Sequence, residues 1–194
     1  HPELQVDRAR AVEYWSRAAS LGFTNAMTTL GGLLLTGGDG LIRADLKQGL
    51  SLLRRAADME DVEGYFKLGY YGYTNNREDL VPYLRFAAER GHPHACYVVG
   101  QIFQTGDSGL ATDEGLAVKF TRWAAHLGVA QAMTNLGAMC LEGHGVAQDV
   151  HRAIKLFQQA SDLGDAKGTL SLAICRARGT GAKSPDTKEA LRLC

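Results

Sequence analysis

Ala132-Met-Thr-Asn-Leu-Gly137, Gly143-His-Gly-Val-Ala-Gln-Asp149 and Ala153-Ile-Lys-Leu-Phe-Gln-Gln-Ala-Ser-Asp-Leu-Gly164 follow one another in the second half of the chain. The first and third stretches carry apolar residues at helical spacing, and the glycines between them mark a turn, so the whole reads as two antiparallel helices. The same text recurs along the chain. An Ala pair precedes a helix-ending position at Ala18-Ala19, Ala56-Ala57, Ala87-Ala88, Ala124-Ala125 and Ala160-Ser161, at intervals of 38, 31, 37 and 36 residues. Thirteen residues after each first Ala stand Gly31, Gly69, Gly100, Gly137 and Ala173. Eleven before it stand Asp7, Asp45, Asn76, Asp113 and Asp149, and Asp186 opens a further copy. Periods of this length mean a solenoid of stacked helix pairs.

Each marker has a mechanical role. The Asp side chain caps the first turn of the second helix of a pair, where backbone N–H groups lack partners. Gly22, Gly91, Gly128 and Gly164 end that helix in a left-handed conformation. The Ala pair and the Leu-Gly step let neighbouring helices approach closely.

On these residues the chain resembles the Sel1-like repeat family, a relative of the tetratricopeptide repeat. The family marks appear as Ala26, Leu30, Gly31, Leu33 and Leu34; Gly143, Gly145 and Val146; Asp149; Ala11 and Tyr14; and Ala18, Ala19 and Gly22. The resemblance implies an all-α fold, a right-handed superhelix of antiparallel helix pairs, over residues 1–194. Because the chain starts at His1 and stops inside an expected helix at Cys194, it is expected to be a segment of a longer protein. The units expected are a half repeat at 1–22, full repeats at 23–60, 61–91, 92–128 and 129–164, and a truncated one at 165–194. Helices are expected at 7–21, 24–36, 45–59, 93–105, 113–127, 130–142, 149–163 and 166–177, with another from Asp186. The exposed seam of the first helix, around Tyr14 and Trp15, expects a preceding element.

The unit at 61–91 diverges. Its interval is short, Glu60 stands where the terminating Gly belongs, and Pro82 would clash inside a helix begun at Asn76. The helix is therefore expected to start late, with Asp79 as its cap and Pro82 in the first turn.

Composition narrows the function. Lys plus Arg and Asp plus Glu both number 21, so the basic excess of a nucleic-acid binder is missing. No stretch reaches the ~18 apolar residues of a membrane span. Cys96, Cys140, Cys175 and Cys194 fall in slots that other repeats fill with large apolar residues, so they read as core, and the regular pairing of some secreted relatives is missing. That usage suits a reducing intracellular compartment. His92, His94, His126, His144 and His151 show no ligand spacing, and no Cys-x-x-Cys, nucleophile elbow or phosphate loop occurs. No metal, cofactor or catalytic residue is expected, and the chain reads as no enzyme.

What remains is a surface. In the related tetratricopeptide fold the first helix of each pair lines a concave face. By repeat alignment the inward positions include Asn25, Glu63, Phe66, Tyr70, Tyr73, His94, Tyr97, Gln101, Gln104, Gln131, Thr134 and Lys167, with Lys67 and Asn135 beside them. Tyr with Gln and Asn suits an extended peptide or helix, offering contact area and hydrogen bonds to its backbone. Phe66 and Tyr70 equally suit the thinned core of the short repeat, and Tyr71 reads as core. The expected function is a non-catalytic scaffold or adaptor that binds a protein or peptide. The alternative is a structural subunit or pendant regulatory domain of a larger assembly.

Overall fold

The computed structural model describes residues 2–40, 42–107, 109 and 111–180. Among the described residues the chain forms ten α-helices and no strand. They divide into two compact units, meeting in sequence at His92 and Pro93. The expected helix from Asp186, and Cys194, lie outside the described residues.

The first unit holds α1 (Pro2–Ser20), α2 (Thr24–Thr36), α3 (Leu46–Asp58), α4 (Val62–Thr74) and α5 (Pro82–Glu89). The second holds α6 (Pro93–Thr105), α7 (Glu114–His126), α8 (Ala130–Glu142), α9 (Val150–Asp162) and α10 (Ala166–Ala177). In each unit consecutive helices pack as antiparallel pairs, and first helices also meet directly: α2 lies against α4, and α8 against α10.

The Leu-Gly step is the contact that builds each pair. A methyl on Gly31 would meet the Leu53 side chain, one on Gly69 would meet Leu84, one on Gly100 Thr121, and one on Gly137 Phe157. Each partner stands three residues before the Ala pair of the next unit, so one small-to-large contact recurs in four hairpins. The Ala side works likewise: a methyl on Gly64 would fall 2.9 Å from the Ala56 Cβ, and one on Gly168 2.6 Å from Ala160. Ala56, Ala87, Ala124 and Ala160 are all fully buried.

The turn after each Ala pair is also repeated bond for bond. The amide of Phe23 donates to the Ala18 carbonyl, Asp61 to Ala56, His92 to Ala87, Val129 to Ala124 and Asp165 to Ala160. Within those bonds Gly22, Glu60, Gly91, Gly128 and Gly164 sit at positive φ, 93°, 60°, 79°, 88° and 85° respectively. These are Schellman turns, and Glu60 fills a site that the other four give to glycine.

Asp45, Asp113 and Asp149 cap α3, α7 and α9 as expected, accepting from Gln48, Leu116 and Arg152 amides at 2.8–2.9 Å. Two expected caps do not form. α1 begins at Pro2 and passes through position 7, so Asp7 starts no helix; Pro suits the first turn, which it occupies. Asp79 lies in a 3-10 turn, Glu78–Leu80, where Arg77 Nε and a terminal nitrogen hold its carboxylate at 3.0 and 3.1 Å. Its oxygens are drawn back along the chain, so α5 starts after Val81 without a side-chain cap, with Pro82 in its first turn as expected. Asp61 and Asp165 cap α4 and α10, roles that the Asp register did not single out.

Candidate functional site

In the first unit α4 brings four of the expected residues onto one surface. Lys67 reaches across to α2, donating from Nζ to the Thr28 carbonyl at 3.2 Å. Its stem lies over Gly32, where a methyl would stand 3.7 Å from Lys67 Cδ, so the missing side chain is filled by a neighbour's. Glu63 binds Lys67 Nζ at 3.4 Å through one oxygen and His92 Nε2 at 3.1 Å through the other. Phe66 stacks on the His92 ring with centroids 4.1 Å apart and planes 18° apart. It also meets Tyr70, with ring centroids 5.5 Å apart. Tyr70 leaves 45% of its surface open, the most exposed aromatic of this group. The result is an aromatic step beside a carboxylate shared by Lys67 and His92.

Asn25 is exposed near the start of α2, and Tyr73 is half-buried near the end of α4. Tyr71 packs against the buried Leu53, Leu68 and Leu80, in keeping with its core reading.

In the second unit His94, Gln104, Gln131 and Lys167 are exposed, and Tyr97, Gln101 and Asn135 are half-buried. Thr134 is 7% exposed and donates its hydroxyl to Asp165 Oδ2 at 2.6 Å. The same Asp165 oxygen caps α10 through the Gly168 amide at 2.8 Å. Thr134 is therefore engaged in joining α8 to the start of α10.

His92 is the residue that sequence reasoning passed over. It stands five residues after Ala87, as Asp165 does after Ala160, and Phe66 stands ten after Ala56, as Thr134 does after Ala124. Phe66 with His92 and Thr134 with Asp165 thus fill one repeated joint with different chemistry. Comparing those two register positions would have paired them.

The three described cysteines are buried free thiols. Burial pushes the Cys96 thiol up to about 11, and it raises Cys175 as well, with Arg178 opposing. Neither is poised as a thiolate nucleophile. Among the described residues no group of three His, Cys, Asp or Glu side chains lies close enough to hold a metal ion. No described helix is long and apolar enough to cross a membrane.

The Sel1 repeat family model matches residues 3–23, 24–61, 93–129, 130–165 and 166–194. The divergent unit carrying the α4 cluster lies between the second and third matches. The chain is 26% identical over 190 residues to the chitin synthase regulator SKT5 of Saccharomyces cerevisiae, covering 91% of this chain and 27% of that one. It is 33% identical over 96 residues to the ERAD-associated E3 ubiquitin-protein ligase component HRD3B of Arabidopsis thaliana, covering 48% of this chain and 16% of that one. Each match thus spans about a quarter or less of the relative's length. The crystal structure of a Sel1 repeat protein from Oxalobacter formigenes is similar with a TM-score of 0.87 at 25% identity, over 96% of this chain and 77% of that one.

Proposed function

We propose that this chain, which belongs to the Sel1 repeat family, holds an extended or helical segment of a partner protein against the faces of its first helices. Sel1 repeats are protein-interaction modules, and a protein-interaction scaffold is the role that family membership supports. The finer reading rests on one observation: α4 presents Phe66 and Tyr70 beside Glu63 and Lys67, with Tyr70 45% exposed. Half-open aromatics beside polar groups are the composition of binding hot spots, supplying area at small entropy cost. Gln101, Gln131 and Asn135 on the corresponding face of the second unit would bond a bound backbone. The two curated relatives are, by their names, a regulator and a ligase component, and an accessory, non-catalytic place beside an enzyme is proposed here too.

The test is a double substitution, Tyr70→Ala with Tyr97→Ala. It should abolish capture of the proteins that the unaltered chain retains, with helicity by circular dichroism unchanged. A folded double variant that keeps those partners removes the reading.

A second reading has its own observation. Tyr14, Leu21 and Phe23 are 68%, 70% and 63% exposed around the end of α1. An apolar edge of that kind suits fixed attachment within a larger assembly. Crosslinks from Lys67 and Lys167 would favour peptide holding, whereas crosslinks confined to the terminal segments would favour the structural role.

A further inference from the structure

In the second unit an open depression of about 800 Å³ is lined by α7, the start of α9 and the loop joining α8 to α9. Three cationic or protonatable side chains line it from two helices: Arg122 on α7, and His151 and Arg152 on α9. All three are exposed, and none has an ion pair within 4 Å among the described residues. Val146, Ala147 and Val150 line it as well. The single acidic residue at the rim, Asp149, already accepts the Arg152 backbone N–H at 2.9 Å, so the helix end is satisfied from within. The lining thus carries two guanidiniums against one carboxylate, a small positive excess that comes from side chains rather than from that helix end.

The loop wall is held in place. The Asp149 amide donates to the Cys140 carbonyl at 2.8 Å, Gln148 Nε2 to Leu141 at 2.8 Å, and the His144 amide to Met139 at 3.1 Å. Gly145, at φ 65°, presses on α7 so closely that a methyl would stand 2.9 Å from Val118 Cγ2. A cleft already shaped in this way spares a ligand the ordering cost of forming it.

We propose that this cleft docks a short acidic segment of a partner protein, extended, with an aliphatic side chain on the valines and flanking carboxylates on Arg122 and Arg152. Guanidiniums match carboxylates in pairs, and their placement on separate helices of a surface that Val146 and Val150 also line asks for separated negative charges with carbon between them. A nucleic acid would need a broader basic surface than two arginines and a histidine in a chain of zero net charge. The site is independent of the α4 surface and of the function proposed for it.

The test uses dye-labelled pentapeptides Asp-Glu-Val-Glu-Asp and Asn-Gln-Val-Gln-Asn, read by fluorescence anisotropy with the whole chain. The acidic probe should bind at least ten-fold more tightly than the amide probe, and more weakly as salt rises. Arg122→Gln and Arg152→Gln should each weaken it at least five-fold with helicity unchanged, and Tyr70→Ala should leave it unaffected. Equal binding of the two peptides, or acidic binding indifferent to both arginine substitutions, would overturn the proposal. So would a single-stranded oligonucleotide that bound more tightly than the acidic probe and lost its binding in the same variants.

Discussion

Five Schellman turns of one bonding pattern, four on glycine and one on Glu60, make a controlled comparison within a single chain. At φ 60° a side chain crowds the following carbonyl, a strain of roughly 1–2 kcal/mol for a residue with a Cβ. Glu60→Gly relieves it but loosens the unfolded chain, returning about 0.4–1 kcal/mol. Glu60 is exposed and makes no side-chain hydrogen bond or ion pair among the described residues, so no contact is lost. The net expectation is a gain of about 1 kcal/mol, or ~2–4 °C in Tm for a chain of this size. The reciprocal change is Gly128→Ala, where an added methyl meets nothing within 4 Å and the φ of 88° alone opposes it. It should cost about 1 kcal/mol. Glu60→Gln separates conformation from charge, since it removes only the anion from the negative end of α3 and should give a smaller rise than glycine. Urea unfolding followed by circular dichroism, with the slope checked for constancy, reads all three. A Glu60→Gly midpoint at or below that of the unaltered chain, with Gly128→Ala costing its expected amount, would refute the account of the turn.

Gly137→Ala should destabilise despite its better helix propensity. The methyl would fall 2.6 Å from Phe157 Cε1, and overpacking of ~1–3 kcal/mol exceeds the ~1 kcal/mol that propensity returns. Adding Phe157→Leu should recover part of the loss in a double-mutant cycle, and strict additivity would count against a direct contact. Asp165→Ala should cost more than Asp149→Ala in thermal unfolding, because it loses a cap and also strands the buried Thr134 hydroxyl; equal losses would dismiss the joint. Cys96 should resist thiol reagents at pH 8 in the folded chain and react on unfolding. Its folded pKa of about 11 lies above the ordinary 9.0, so its contribution to stability is full below about 9 and fades as pH rises toward 11. A Cys96→Ser variant whose alkaline stability profile matched that of the unaltered chain would contradict this.

Helix positions were readable in the sequence wherever the small-residue register ran unbroken. The bounds expected for α2, α6, α8 and α10 agree with the structure to the residue, and those of α3, α7 and α9 to within one at each end. Glycine and alanine leave little latitude, because the partner helix packs directly against them at fixed repeat positions and an added methyl would collide with it. Asp7 and Asp79 misled for the opposite reason. A carboxylate can cap a helix, lie inside one or pair with a neighbouring arginine, and its spacing alone does not choose. The pairing of Phe66 with His92, 26 positions apart, was likewise hidden, because each residue looks unremarkable within its own helix.

That pairing also bears on what α4 offers. Phe66 reads from the sequence as either groove or core; it lies on His92 in the joint between repeats and also meets Tyr70, which is 45% exposed. Tyr70 stands fourteen residues after its Ala, in the slot that holds Gly32, Gln101, Ala138 and Ile174 elsewhere. A slot that accepts a bare helix, an amide, an aliphatic chain and a phenol is one that the fold does not constrain. The slots thirteen residues after the Ala take Gly or Ala throughout, and those carry the packing. Substitution in the tolerant slots can therefore change the surface that a first helix presents while the small-residue packing beneath it stays the same.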